Sequence, residues 1–118
     1  MEVASPEILR AGPIEIRPAG FLALAAGRAL PLTPRELSLL TTLARHSGLV
    51  LGRDELYAAA WGRPRPAGDR SVDVYVRKLR LKLERALPDW RFIHTHFAFG
   101  YRFAPERSPD LHKEETAT

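Results

Sequence analysis

Seven basic residues crowd into one 20-residue window of this 118-residue chain: Arg63, Arg65, Arg70, Arg77, Lys78, Arg80 and Lys82. Two acids, Asp69 and Asp73, stand among them. Seven less two gives the window +5, more than the +4 of the whole chain. A focused cationic patch is the electrostatic footprint of a polyanion partner. A merely solvated helix face can carry the same charges, so the pattern inside the window has to decide. Other chemistries are thinly supplied. The chain has no cysteine, which excludes a disulfide framework, a Cys-ligated zinc site and a thiol nucleophile. His94 and His96 alternate on one strand face, but a metal would need a third and fourth ligand and none is spaced for it. Asp54, Glu55 and Asp69 read as helix-terminus charges rather than catalytic acids. No phosphate-cradling glycine loop, nucleophile elbow or H-E-x-x-H run is present. No enzyme, cofactor or small-molecule substrate is expected.

The window is organised as a helix. Asp69 or Ser71 can cap it. Val72, Val76, Leu79 and Leu83 then recur at i, i+4, i+7 and i+11, which at about 100° per residue gathers them into one apolar stripe. Arg70, Val74, Arg77 and Leu81 point the opposite way, flanked by Asp73 and Lys78. The helix, over about 69–85, is predicted to have a core face and a basic face. The stretch 63–68, Arg-Pro-Arg-Pro-Ala-Gly, cannot be helical and reads as a stiff exposed loop.

The elements needed to hold that helix are legible on either side. Thr33-Pro34-Arg35-Glu36 is a capping box with proline at the first helical position. Leu37, Leu40, Leu43 and Ala44 follow at helical spacing, and Gly48 stops the helix. Leu49 to Leu51 is a short extended link. A second helix is predicted from about Arg53 to Trp61, weakly capped by Gly52. Residues 13–32 alternate and break as three or four short strands of a small antiparallel sheet, with Pro31 at an edge or a strand end. Trp90 to Thr95 and Gly100 to Phe103 read as a β-hairpin whose tip, His96-Phe97-Ala98-Phe99, is unusually aromatic. Trp61, Trp90 and Phe103 are expected in the core.

The resulting order is sheet, helix, helix, loop, basic-faced helix, hairpin. A helix apolar on one face and basic on the other can pack on a scaffold and enter the DNA major groove, with a hairpin beside it reaching the neighbouring backbone or minor groove. The fold class is therefore α+β, a winged helix-turn-helix. One domain is expected over 8–104, with a flexible start at 1–7 and a disordered tail at 105–118. The first dozen residues look like loose ends. The opening MEVASPEILR has no secretory-signal pattern, and no stretch approaches the roughly 18 apolar residues of a membrane span. A cytoplasmic, nucleoid-associated location is expected, without membrane contact.

At these residues the chain resembles the OmpR/PhoB-type winged-helix effector domain of bacterial response regulators in two-component systems. The resemblance runs through Leu32-Thr33-Pro34-Arg35-Glu36-Leu37, Gly52-Arg53-Asp54-Glu55-Leu56, Trp61-Gly62, the whole of 69–83, and Gly100-Tyr101-Arg102-Phe103. It implies that the third helix is the recognition helix in double-stranded DNA. It implies phosphate contacts for Arg70, Ser71, Tyr75, Arg77, Thr95 and Tyr101, and base-edge or thymine-methyl contacts for Asp73, Val74, Lys78 and Arg80. It implies RNA polymerase contact for the loop carrying Arg63 and Arg65, and head-to-tail pairing on direct repeats. Two departures stand out. At the wing tip after His96, Phe97 holds the place of an arginine that enters the minor groove, and Ala98 holds the place of a glycine. Leu81 replaces a commonly basic residue. The family's receiver domain, about as long again as this chain, has no counterpart in these residues. Two rival readings use the same residues: a winged-helix protein-interaction module built on the aromatic wing and Leu81, and a non-catalytic domain of a larger enzyme.

Overall fold

The computed structural model describes residues 6–107. Two small sheets flank three helices. The first sheet is β1 (Leu9–Ala11), β2 (Ile14–Arg17), β3 (Leu22–Ala25) and β4 (Arg28–Ala29), antiparallel and paired in chain order. The helices are α1 (Pro34–Arg45), α2 (Arg53–Trp61) and α3 (Ser71–Ala86). The second sheet is formed by β5 (Val50–Leu51), β6 (Trp90–His96) and β7 (Gly100–Arg107), with β7 in the middle.

Three sequence-based boundaries move. Leu9–Ala11 is a paired strand, not a loose end, because Gly12 at φ +55° turns it back onto β2. Ahead of it, Glu7 pairs with Arg45 at the end of α1 (2.5 Å). β7 continues three residues past the expected limit at 104, because its pairing with β6 extends to Trp90 opposite Arg107. The remainder of the expected flexible start, 1–5, and of the expected tail, 108–118, lies outside the described residues. The wing is also wider than a hairpin: Val50 and Leu51 pair with Arg102 and Tyr101, so the link between α1 and α2 supplies a third strand.

The helices start as their sequences dictate. Thr33 Oγ1 accepts from the Glu36 amide (3.2 Å), and Glu36 Oε1 accepts from the Thr33 amide (2.8 Å), completing the capping box. At α2, Gly52 offers no side chain, and only the reach-back half of the box exists, from the Gly52 amide to Glu55 (3.1 Å). Asp69 caps the entry to α3 from two residues upstream, its carboxylate accepting from the Ser71 amide (2.8 Å). Hydrogen bonding from the Ser71 hydroxyl, and then from its amide, holds the Asp69 carboxyl below its ordinary pKa.

The core lies where α1, α2, α3 and the two sheets meet. Val72, Val76, Leu79 and Leu83 of α3 are buried against Leu39, Leu40, Leu43 and Leu56, with Ile14 and Ile16 beneath the first sheet and Phe103 beneath the second. Burying each such side chain stabilises by about 1.5–3 kcal/mol. Phe103 is fully buried as expected. Trp61 and Trp90 are only partly buried, packed at the edge of the core, which corrects their reading as core residues. Trp61 is instead sandwiched into a surface column. Its ring stacks on Tyr57 (4.6 Å), meets Tyr75 edge-on (5.5 Å), and lies under the Arg35 guanidinium (4.5 Å).

Glu36 does more than cap α1. It is 1% exposed, and Lys82 of α3 donates to its carboxylate (2.6 Å) and to the Pro31 carbonyl (2.7 Å). Burial alone would raise the Glu36 pKa. The hydrogen bonds from Lys82 and Thr33 outweigh it and hold the carboxyl below its ordinary value. A lowered pKa contributes stability that is present above the unfolded-state value near 4.3 and is lost as the pH falls through the folded one. Replacing Glu36 by Gln is therefore expected to cost about 1–3 kcal/mol at pH 7. In urea titrations repeated at several pH values, the gap between the two proteins should close as the medium becomes acidic. A gap that does not depend on pH would show that the charge is not what matters.

Candidate nucleic-acid interface

With one stripe of α3 buried, the opposite face is presented to solvent. Arg70, Val74, Arg77, Lys78 and Leu81 are all exposed, Val74 to 49% and Leu81 to 45%. Among the described residues nothing pairs with Arg70 or Arg77. Lys78 is steered by its own helix, with Nζ over the Tyr75 ring at 4.9 Å. Tyr75 in turn is held edge-on by Trp61. The outer face of α3 thus carries three cations and two apolar side chains. Cations complement phosphates and guanine edges, and an apolar group complements a thymine methyl.

Other residues assigned to contacts by resemblance are turned inward. Asp73 accepts from Arg53 Nε at the start of α2 (2.8 and 3.1 Å) and from the Tyr101 hydroxyl of β7. Tyr101 is 5% exposed. Burial, and then its bond to Asp73, push its pKa up, so the phenol stays a donor. Two guanidinium groups lie over its ring, Arg53 at 5.5 Å and Arg80 at 5.3 Å. Arg80 reaches across to the wing. It donates to the Ile93 carbonyl (3.0 and 3.2 Å) and to Thr95 Oγ1 (2.6 Å), and burial lowers its pKa. Asp73, Arg80 and Tyr101 therefore join α2, α3 and the wing into one body, and their polar atoms are engaged within it. Thr95 remains exposed at the strand end, and Ser71 sits half-buried at the first turn of α3.

The loop at 63–68 is similarly mixed. Arg65 is tied down, donating to Asp54 (2.6 Å) and to the Asp69 carbonyl (2.6 Å). Arg63 is exposed and donates to the Tyr57 hydroxyl at 3.3 Å. Sequence reasoning missed Arg53. Its position at the first turn of α2 carries no signal that it faces Asp73, twenty residues on. The histidines are likewise employed within the fold: His94 Nε2 donates to the Ala104 carbonyl (2.8 Å), and His96 Nε2 accepts from Arg102 (3.0 Å). No group of three or more His, Asp or Glu among the described residues could hold a metal.

The wing tip is a tight turn closed by the Phe99 amide on the His96 carbonyl (2.9 Å). Phe97 is 90% exposed and Phe99 75%. Ala98 adopts φ +69°, a left-handed conformation that favours glycine. Gly100 follows at φ +146°, and a Cβ there would lie 2.0 Å from the Leu51 carbonyl oxygen.

Comparison with known proteins decides the family. The sequence profile described as "Transcriptional regulatory protein, C terminal" matches residues 27–103. The chain belongs to this family. It is the OmpR/PhoB-type winged-helix effector fold. The DNA-binding response regulator MtrA of Mycolicibacterium smegmatis is 35% identical over 99 residues, 84% of this chain and 43% of that protein. The transcriptional regulatory protein PrrA of Mycobacterium leprae is 38% identical over 98 residues, 83% of this chain and 42% of that protein. The chain thus spans less than half the length of these relatives. Among solved structures, the DNA-binding domain of Klebsiella pneumoniae RstA, in complex with the RstA box, superposes with a TM-score of 0.74 at 31% identity. That match covers 83% of this chain and 97% of the other.

The Gly100 geometry gives a direct test of how the effector domain builds its wing. Gly100→Ala should destabilise by about 3 kcal/mol or more, since backbone and not a flexible side chain blocks the added methyl. Ala98→Gly, at a site with no such obstruction, should be neutral or mildly stabilising. Thermal unfolding of the two variants beside the parent checks the contrast.

Proposed function

We propose that this chain binds specific sequences in double-stranded DNA and regulates transcription, with α3 in the major groove and the wing on the adjacent backbone or minor groove. The observation that carries the reading is the two-faced helix. Its apolar stripe is buried, and its free face presents Arg70, Arg77 and Lys78 around Val74 and Leu81. The DNA-bound state of the RstA relative, and the similarity to the DNA-binding response regulator MtrA and the transcriptional regulatory protein PrrA, support it.

Residues divide into three roles on this reading. Arg70, Arg77 and Thr95 meet phosphates, with Ser71 and Tyr75 at the margin. Val74 and Lys78 read bases. Asp73, Arg80 and Tyr101 act chiefly by fixing the angle between α3 and the wing, since each is already bonded inside the domain. Arg63 rather than Arg65 is the available cation of the polymerase-contact loop. Head-to-tail pairing on direct repeats and a cytoplasmic, nucleoid-associated location complete the proposal. The winged-helix unit spans residues 8–107 on this reading.

Selection of genomic DNA by the 118-residue chain, followed by footprinting of the enriched site, tests the function. Affinity should fall steeply with salt, with a log–log slope of about −0.9 per neutralised phosphate. A protein-interaction role for Phe97 and Leu81 would show no such dependence. Arg77→Ala should weaken all duplexes alike and flatten the slope by about one unit. Lys78→Ala should relax preference at one base pair by about 1–3 kcal/mol. An unaltered preference for Lys78→Ala would remove it from base reading.

A further inference from the structure

We propose that Phe97 is an apolar wedge that enters the minor groove and unstacks a base step, so that this domain bends the DNA it binds. The inference rests on the DNA-binding reading above and adds a deformation to it.

Four observations converge on Phe97. Its ring is the most exposed large apolar side chain among the described residues, at 90%. It lies on the same side of the domain as the start of α3. Phe97, Ala98 and Thr95 share one concave surface with Arg70 and Asp73 at the start of α3 and with Arg53 and Arg65. Phe99 lies on the other flank, bordering Val50, Gly52, Glu55 and His96. The tip is also stiffly mounted. Gly100 is wedged against Leu51, the turn is closed at Phe99, and Arg80 clamps the strand through Ile93 and Thr95. A ring on such a mount can press on a base step without first being ordered.

Charge decides between DNA and a protein as the occupant. Arg53, Arg65 and Arg70 line the surface around Phe97 together with Asp69 and Asp73. Arg53 is paired with Asp73 and Arg65 with Asp54, which leaves Arg70 as the cation there without a partner among the described residues. An apolar protein surface closing over Phe97 would strip water from that cation without replacing it. Phosphates flanking a groove would neutralise it while the ring met the stacked bases. Apolar wedges that act this way enter from the minor groove and kink the duplex by about 20–90° toward the major groove. That direction would press the duplex onto α3.

The test uses 30-base-pair duplexes carrying the sequence that the 118-residue chain selects from random DNA. One series has donor and acceptor dyes at its ends. A second has 2-aminopurine stepped through the segment beside the α3 footprint. The parent protein should shorten the end-to-end distance by an amount matching a bend of at least about 20°. It should also raise 2-aminopurine fluorescence at one step. Phe97→Ala should abolish both signals, weaken binding several-fold, and leave the salt slope unchanged because no charge is lost. Phe99→Ala should retain both signals. With the side chain exposed, neither variant is expected to disturb folding, and near-identical thermal unfolding verifies this. Binding with no bend, a bend that survives Phe97→Ala, or a bend lost equally in Phe99→Ala would each overturn the wedge while leaving the DNA-binding function standing. Failure of the parent protein to bind any duplex in a salt-dependent way would overturn both.

Discussion

Burial of one stripe of α3 is the constraint on which the rest depends. Val72, Val76, Leu79 and Leu83 can be dry only if the helix presents Arg70, Val74, Arg77 and Leu81 to solvent. Rotation of the helix by a single residue, about 100°, would bury a cation and expose a core leucine. Two carboxylates then fix what packing alone leaves soft. Asp73 ties the first turn of α3 to Arg53 and Tyr101, and Glu36 ties the later turns to α1 through Lys82. The interface is in this sense a by-product of the core: its orientation is set by side chains packed or bonded on the other faces of the helix.

The charge count overstates what faces outward. Of the seven cations between 63 and 82, Arg65, Arg80 and Lys82 are engaged with acids, carbonyls or a hydroxyl of the domain, and Arg63 is bonded to Tyr57. Arg70, Arg77 and Lys78 remain for a ligand on the free face of α3, and Arg63, exposed and held by one 3.3 Å bond, remains in the loop. Cations near the surface thus do two different jobs. Some cross-brace α2, α3 and the wing, and others meet the solvent. Residue type does not separate them, whereas position on the helix does.

That difference explains what could be read in the sequence. The α1 capping box, the two faces of α3, the breaks at Gly48 and Gly62 and the hairpin after Trp90 all follow from local rules within a few residues. The small first sheet and the overall winged-helix architecture follow from their order. The Arg53–Asp73 and Glu36–Lys82 pairs span 20 and 46 residues and left no local mark. Nor did the irregular pairing between Arg91 and Ile93, which lets Phe92 and Ile93 both face inward against the alternation expected of a strand. β1 was obscured because three residues are too few to show a period. The family resemblance runs out near 104 and low apolar content marks only 108–118, whereas backbone pairing carries β7 to Arg107.

The seating of Gly100 against the Leu51 carbonyl has a consequence for how such domains diversify. The base of the wing is welded to the link between α1 and α2, so residues there cannot drift independently. Above it, the rings of Phe97 and Phe99 are largely exposed, whereas Ala98 is held to a left-handed conformation. A change of either ring therefore alters what the tip offers to a partner without disturbing the socket that holds it.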